Sequence, residues 1–124
     1  MGIIYLYKQE LKNMYEINLL PKAEKWLLNL SNPQQREMIL LIKKLEILGY
    51  ELELPYSRAL KGTKEKVKEL RCTKYGNRLY YVHYENKVYV GLLGGDKQSQ
   101  TRDVSQADKM AQKLRRGVID YEKY

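Results

Sequence analysis

Arg71 and Arg78 bracket a short stretch, Cys72 to Asn77, that reads as a turn between two strands. If Cys72 pairs with Asn77 across a four-residue turn, the two arginines stand directly opposite each other on one face of a hairpin. Like charges opposed across strands destabilise the pair, so a fold that keeps them gains from an anion shared between them. Phosphate suits two guanidinium forks. Alternation along the strands sets Glu69 on the face of Arg71, and Tyr80 and Tyr84 on the face of Arg78, which adds a carboxylate and two phenols. A plain surface ion pair between Glu69 and one arginine is the competing account of these residues.

A second constellation is the run Gly94-Gly95-Asp96-Lys97-Gln98-Ser99-Gln100. A glycine pair lets the backbone turn sharply or approach a ligand, and Lys97 and Gln100 then bring a cation and an amide close by. Neither GxxxxGK[ST] nor GxGxxG is present, so nucleotide binding of those kinds finds no support. The single histidine, His83, and the single cysteine, Cys72, cannot build a Cys/His zinc cluster, a two-histidine acid/base pair or an internal disulfide. His83 falls on the face of Leu79 and Tyr81, opposite to Arg78, and reads as structural; Cys72 reads as a small packing residue.

The surrounding charge agrees with an anionic partner. The chain has 124 residues, with 23 Lys and Arg against 15 Asp and Glu, a formal net charge of +8. Six of those eight positive charges lie between Arg58 and Arg78, as expected of a surface that approaches a polyanion. Twelve tyrosines, one tryptophan and no phenylalanine make the aromatic set suited to half-wet surfaces and to stacking on bases. The length fits one domain, and no apolar run approaches the roughly 20 residues of a membrane span. A cytoplasmic protein with no membrane association is expected.

The elements that must position these residues follow from periodicity. Tyr15 to Leu20 alternates like a strand, and Pro21 opens a short amphipathic helix over residues 21 to 30. Asn32 as cap and Pro33 as first helical residue start a second helix, whose stripe Met38, Leu41, Ile42, Leu45 and Leu48 runs to Gly49. Ile39, Leu40 and Ile47 fall off that stripe, so a second side of the helix is expected to be covered, by the sheet or by a partner. Residues 50 to 66 read as an irregular connection. Val67 to Thr73, Arg78 to Glu85 and Lys87 to Leu93 then form an antiparallel meander, and Val104, Ala107, Ala111 and Leu114 mark a helix ending at Gly117. The expectation is an α+β domain over residues 14 to 117, with helices on one face of a small antiparallel sheet and the other face left open. Met14 offers an alternative start, which makes residues 1 to 13 an N-terminal extension, and residues 118 to 124 a C-terminal tail.

The strings Arg58-Ala-Leu-Lys-Gly62, Glu69-Leu-Arg71, Asn77-Arg78-Leu-Tyr-Tyr81 and Leu92 to Gln100, with Ala107 downstream, resemble the RelE/HigB family of toxins from toxin-antitoxin systems. The likeness is greatest to the phage-derived, HigB-like "addiction module killer" branch and extends from about Tyr15 to Leu114. It implies a RelE-like fold: two N-terminal helices packed on a small antiparallel sheet, with a C-terminal helix. It also implies a ribosome-dependent endoribonuclease that cleaves mRNA in the A site, and a cognate antitoxin, a helix-turn-helix protein, encoded beside it. No cofactor or metal is implied. The RNA 2'-hydroxyl attacks the adjacent phosphorus, and cations stabilise the charge that develops.

By the same resemblance Arg71, Arg78 and Lys97 match the family's catalytic cations, and Gln100 its glutamine after the last strand. Lys61, Lys68, Tyr80 and Tyr84 are candidates for holding substrate or moving protons. The chain departs from better-known RelE members in carrying Glu69 where they have basic residues, and in lacking their downstream tyrosine near Arg102 to Val104. As exposed charges, Arg78 and Lys97 should be removable without loss of the fold. Two other functions fit the pattern: a ParE-like toxin that inhibits gyrase by binding, and a non-catalytic RNA-binding module.

Overall fold

A computed structural model of the chain describes residues 14–117. The expected extension at residues 1 to 13 and tail at 118 to 124 lie outside the described residues. Strand β1 (Glu16–Leu19) leads into helix α1 (Pro21–Leu28) and helix α2 (Asn32–Leu48), followed by a short 3-10 turn (Gly49–Glu51). Strands β2 (Ser57–Ala59), β3 (Lys68–Arg71), β4 (Arg78–Glu85) and β5 (Val88–Gly95) then precede helix α3 (Gln100–Arg115).

The helices begin and end where local chemistry requires. Ser31, not Asn32, takes the cap position of α2, leaving Pro33 in its first turn, where a missing N–H costs nothing. Gly49 ends α2 with φ of +56°, and a Cβ there would lie 2.4 Å from the Tyr15 ring. Helix α3 starts four residues earlier than its apolar stripe indicates. The cause is a polar turn in which the Ser99 amide donates to Asp96 Oδ1 (3.0 Å) and the Asp103 amide donates to the Ser99 carbonyl (2.9 Å).

The sheet has the order β1-β5-β4-β3-β2. Strands β3 to β5 form the expected antiparallel meander and β2 adds to it antiparallel, but β1 joins β5 in parallel and makes the sheet mixed. A parallel neighbour needs a long connection, and here both helices and three strands intervene. Strand β2 lies within the segment read as irregular: three residues are too few for a period-two signal, and its place is decided by pairing with β3.

Both faces of the sheet are covered. Leu70, Cys72, Leu79, Tyr81 and Tyr89 pack against Ala23, Leu27, Met38, Leu41, Ile42 and Leu45 of α1 and α2. On the other face Tyr80, Val82, Val90, Leu92 and Leu93 pack against Ala107, Met110, Ala111 and Leu114 of α3. The expected open face is therefore closed by α3, because its four small or flexible apolar residues need a partner and β4 and β5 supply it. A bulge opposite Tyr80 and Tyr81 turns Leu92 as well as Leu93 into that core. Ile39, Leu40 and Ile47 stay 36%, 54% and 38% exposed, so the sheet does not cover that side of α2.

Candidate functional site

The β3–β4 turn closes as the residue types require. The Cys72 amide donates to the Asn77 carbonyl (2.9 Å), the Gly76 amide donates to the Cys72 carbonyl (2.7 Å), and Gly76 adopts φ of +80°. Arg71 and Arg78 are register partners, opposed as expected. Their surroundings differ sharply. Arg71 is half-buried, whereas Arg78 is only 3% exposed and folds back, with a guanidinium N–H donating to the Gly76 carbonyl at 2.8 Å.

Glu69 is the anion that Arg78 meets. It is fully buried, beside Tyr80 on β4 and Arg58 on β2 in the strand registers. Its Oε1 lies 3.0 Å from Arg58 Nη2, its Oε2 lies 3.4 Å from Arg78 Nε, and Gln100 Nε2 donates to Oε2 at 3.3 Å. The Arg78 contact is an ion pair without the alignment of a hydrogen bond. Four elements, β2, β3, β4 and α3, thus converge on one carboxylate. Glu69 pairs with Arg58 and Arg78, and leaves Arg71, its neighbour two residues along β3, without an ion pair among the described residues.

Tyr80 completes the cluster. Its ring is wholly buried and its hydroxyl has no hydrogen-bond partner among the described residues. Burial first, and the negative charge of Glu69 next, push the phenol well above its ordinary range, so it holds its proton. Four buried side-chain atoms among the described residues lack an aligned partner: Glu69 Oε1, Arg78 Nε, Tyr80 Oη and Asn77 Oδ1. Three of the four belong to this cluster. Glu69 Oε1 and Arg78 Nε are within the ion pairs described above, so Tyr80 Oη is the cluster's one polar atom without a charged or hydrogen-bonding partner among the described residues.

Above the cluster lies a cleft of about 550 Å³, walled on one side by Arg58, Ala59, Leu60 and Lys61 and on the other by Gln100, Thr101 and Val104. Arg58, its side chain 43% exposed, reaches from the buried carboxylate towards solvent. Lys61 is exposed at the mouth, and Lys97 is exposed on the loop that leads into Gln100. Among the described residues neither lysine has an ion pair. The cluster of one carboxylate and two guanidiniums is net positive, and the two lysines add to it. Such a cleft attracts and orients a phosphate diester.

The structure brings together Arg78, Tyr80 and Gln100 of the residues singled out from the sequence, with Lys61 at the rim, and it separates two others. Lys68 is the register partner of Tyr81, on the α1/α2 face, where it lines a different cleft with Tyr50, Leu54 and Ser57. Tyr84 lies six residues along β4 from Arg78, roughly 20 Å at the rise of a strand, packed against the α3 side of the core. Arg58 is the residue that sequence reasoning left out of the site; its signal was its place at the head of the basic run.

Arg78 is not the exposed charge expected from its strand position, because Glu69 and the Gly76 carbonyl draw it inwards. The glycine pair has a reason of its own too. Gly94 and Gly95 both end β5; a Cβ on Gly94 would sit 2.0 Å from the Trp26 ring, and one on Gly95 would sit 1.9 Å from Asp103 Oδ2. The close approach they permit is to the protein's own side chains. His83 stacks on Tyr89, its Nε2 bonded to the Asn86 carbonyl oxygen, and Cys72 is buried in the α1/α2 core; both are away from the cleft.

Residues 25–115 match the family model described as "Phage derived protein Gp49-like (DUF891)". A search of curated proteins finds no match. Among solved structures, a mutant of the E. coli toxin RelE in the free state is 15% identical with a TM-score of 0.61, the match covering 77% of this chain and 95% of that one. RelE in the archaeal RelE-RelB complex from Pyrococcus horikoshii OT3 is 21% identical with a TM-score of 0.55, covering 68% and 96%. The intact E. coli RelBE toxin-antitoxin complex gives 17% identity and a TM-score of 0.54 over 66% and 95%. These likenesses establish a shared fold. With the family model spanning well over half of its length, the chain belongs to the phage-derived Gp49-like family, built on the fold of the RelE toxins.

Proposed function

We propose that this chain is the toxin of a type II toxin-antitoxin module, an endoribonuclease that acts in the cytoplasm on mRNA in the ribosomal A site. The observation that carries the reading is the convergence of Arg58, Arg78 and Gln100 on the buried Glu69 beneath a cation-lined cleft. Glu69 holds the guanidinium groups in place before any substrate arrives, so their ordering is not charged to the reaction. The RNA 2'-oxygen forms a bond to the adjacent phosphorus while the bond to the 5'-oxygen breaks, giving a 2',3'-cyclic phosphate and a free 5'-hydroxyl. One proton leaves the 2'-oxygen and one is delivered to the 5'-oxygen.

Arg58 and Lys61 on one wall and Gln100 on the other, with Lys97 exposed on the loop that leads into Gln100, would meet the phosphorane oxygens as their negative charge grows. Arg71, on β3 opposite Arg78, adds a further cation. Tyr80, wholly buried and held as a phenol, does not serve as the base. Glu69, its oxygens already engaged by two arginines, is a positioning residue and offers no free pair of oxygens to a metal. The toxin domain comprises residues 14 to 117. An antitoxin with a helix-turn-helix and an acidic, amphipathic segment would silence it by neutralising the cleft, with exposed Ile39, Leu40 and Ile47 as a further apolar contact.

Expression of the chain alone should arrest growth and stop translation, and mapping of 5' ends on programmed ribosomes should show cuts in the A-site codon that disappear in Arg58→Ala and Lys97→Ala. Growth arrest with uncut mRNA, equally strong in these variants, would refute the nuclease reading.

A further inference from the structure

A second cleft lies on the other side of the first turn of α3. It encloses about 410 Å³ and is lined by Trp26, Lys22, Lys25, Asn29, Arg102 and Gln106. Gln100, Thr101 and Val104 face the Arg58 cleft, while Arg102, Asp103 and Gln106 face this one, so a single helical turn is the wall between them. We propose that this second cleft is a nucleotide subsite, which takes a base and its phosphate from the same RNA strand that crosses the Arg58 cleft; it rests on the RNA-cleaving reading above.

The chemistry of the cleft is that of single-strand recognition. Trp26 lies flat enough over β5 that only glycine fits beneath it at position 94, and the half-buried ring also lines the cleft, fixed before a base arrives. A rigid aromatic surface stacks any base, and stacking contributes about 1 to 3 kcal/mol per base. Asn29 and Gln106 each offer an amide with a donor and an acceptor for a base edge. Lys22, Lys25 and Arg102 supply cations for phosphate. Arg102 is 80% exposed, and its one ion pair among the described residues, with Asp103 Oδ1, is long at 4.0 Å, so the guanidinium can turn to a ligand.

The spacing suits one strand. The wall is a helix of about 10 Å diameter, which about three stacked nucleotides span at 3.4 Å each. Lys97 is exposed on the loop that leads into that helix, between Gly94 of this cleft and Gln100 of the other in sequence. The charge supports RNA as occupant over an acidic peptide chiefly because a cationic cleft with an aromatic platform and two base-edge amides matches all three parts of a nucleotide, and a peptide would use the charge alone.

Trp26 is the single tryptophan of the chain and reports directly on occupancy. The probe is a 2'-O-methyl hexanucleotide labelled at its 5' end, which cannot be cut because the 2'-oxygen is blocked. Its anisotropy reports binding anywhere on the full chain, and Trp26 emission reports this cleft. Saturable quenching that tracks anisotropy is expected, with Lys25→Glu/Arg102→Glu losing about tenfold in affinity and flattening the slope of log K against log salt by about 0.7, the value for one phosphate. Lys113→Glu, on the far end of α3, should leave the quenching intact. Binding by anisotropy with unchanged Trp26 emission and no effect of the double variant would overturn the subsite while leaving ribosomal cleavage to judge the main reading. Quenching by a polyglutamate peptide but not by the oligonucleotide would overturn it in favour of a protein partner, and absence of both signals would overturn it as well.

Discussion

Arg78→Ala should cost far more stability than Arg58→Ala, although both arginines meet the same carboxylate. Arg78 is 3% exposed and Glu69 is fully buried, so removing Arg78 strands a charge where water does not reach. Breaking a buried pair from one side costs about 3 to 5 kcal/mol, and the lower end applies because Arg58 and Gln100 stay in contact with Glu69. For a domain of this size about 3 kcal/mol corresponds to a fall in Tm of roughly 12 °C. The Arg58 side chain is 43% exposed, and its removal opens the cleft so that water can take over Oε1. A loss of about 1 kcal/mol or less, and of roughly 4 °C, follows. Thermal unfolding followed by circular dichroism measures both. A cycle with Glu69→Gln and Arg78→Met should show a coupling of about 1 to 3 kcal/mol. Equal Tm losses in Arg78→Ala and Arg58→Ala, with no coupling, would refute the reasoning that Glu69 and Arg78 form the buried half of the site.

In cleavage on programmed ribosomes, Arg58→Ala and Lys97→Ala should each lose about 100- to 1,000-fold in rate with the Tm nearly unchanged, the size of effect seen when one donor is taken from a charge-stabilising site. Gly94→Ala should destabilise by about 1 to 3 kcal/mol, because the added methyl falls within the Trp26 ring; a calorimetric Tm equal to that of the parent would contradict the contact. Burial pushes the Tyr81 phenol up to about 12 and raises Tyr80 and Tyr89 as well. A raised acid keeps its proton longer in the folded state, so the stability it contributes is whole below pH 10 and is lost as pH climbs from 10 towards 12, at about 1.4 kcal/mol per pH unit for Tyr81. Urea melts between pH 9 and 12 should show that slope reduced in Tyr81→Phe. Among the described residues no three His, Cys, Asp or Glu side chains gather to hold a metal, so stripping transition metals with a zinc-selective chelator at constant magnesium should leave cleavage unchanged.

Local features of this chain were legible because they are decided within a few residues. Strand β4, Arg78–Glu85, has the bounds its alternation gives, and the opposition of Arg71 and Arg78 follows from a turn whose length and Gly76 leave one register. Pro21, Pro33 and Gly49 mark helix ends for steric reasons that act on the chain itself. The choices that made the site were of another kind. Whether Glu69 neutralised Arg71 or Arg78 depended on which guanidinium could fold inwards, and that was settled by β2 pairing with β3 and by Gln100 arriving from α3. Strand β2 has three residues and no period of its own, so nothing near Arg58 in sequence announces Glu69 as its partner. The glycine pair read as room for a ligand is room for Trp26 and Asp103, side chains distant in sequence that only the packing of α1 and α3 on β5 brings to that spot. Alternation assigns a residue to a face of the sheet; what lies over that face is decided by helices that docking alone puts in place.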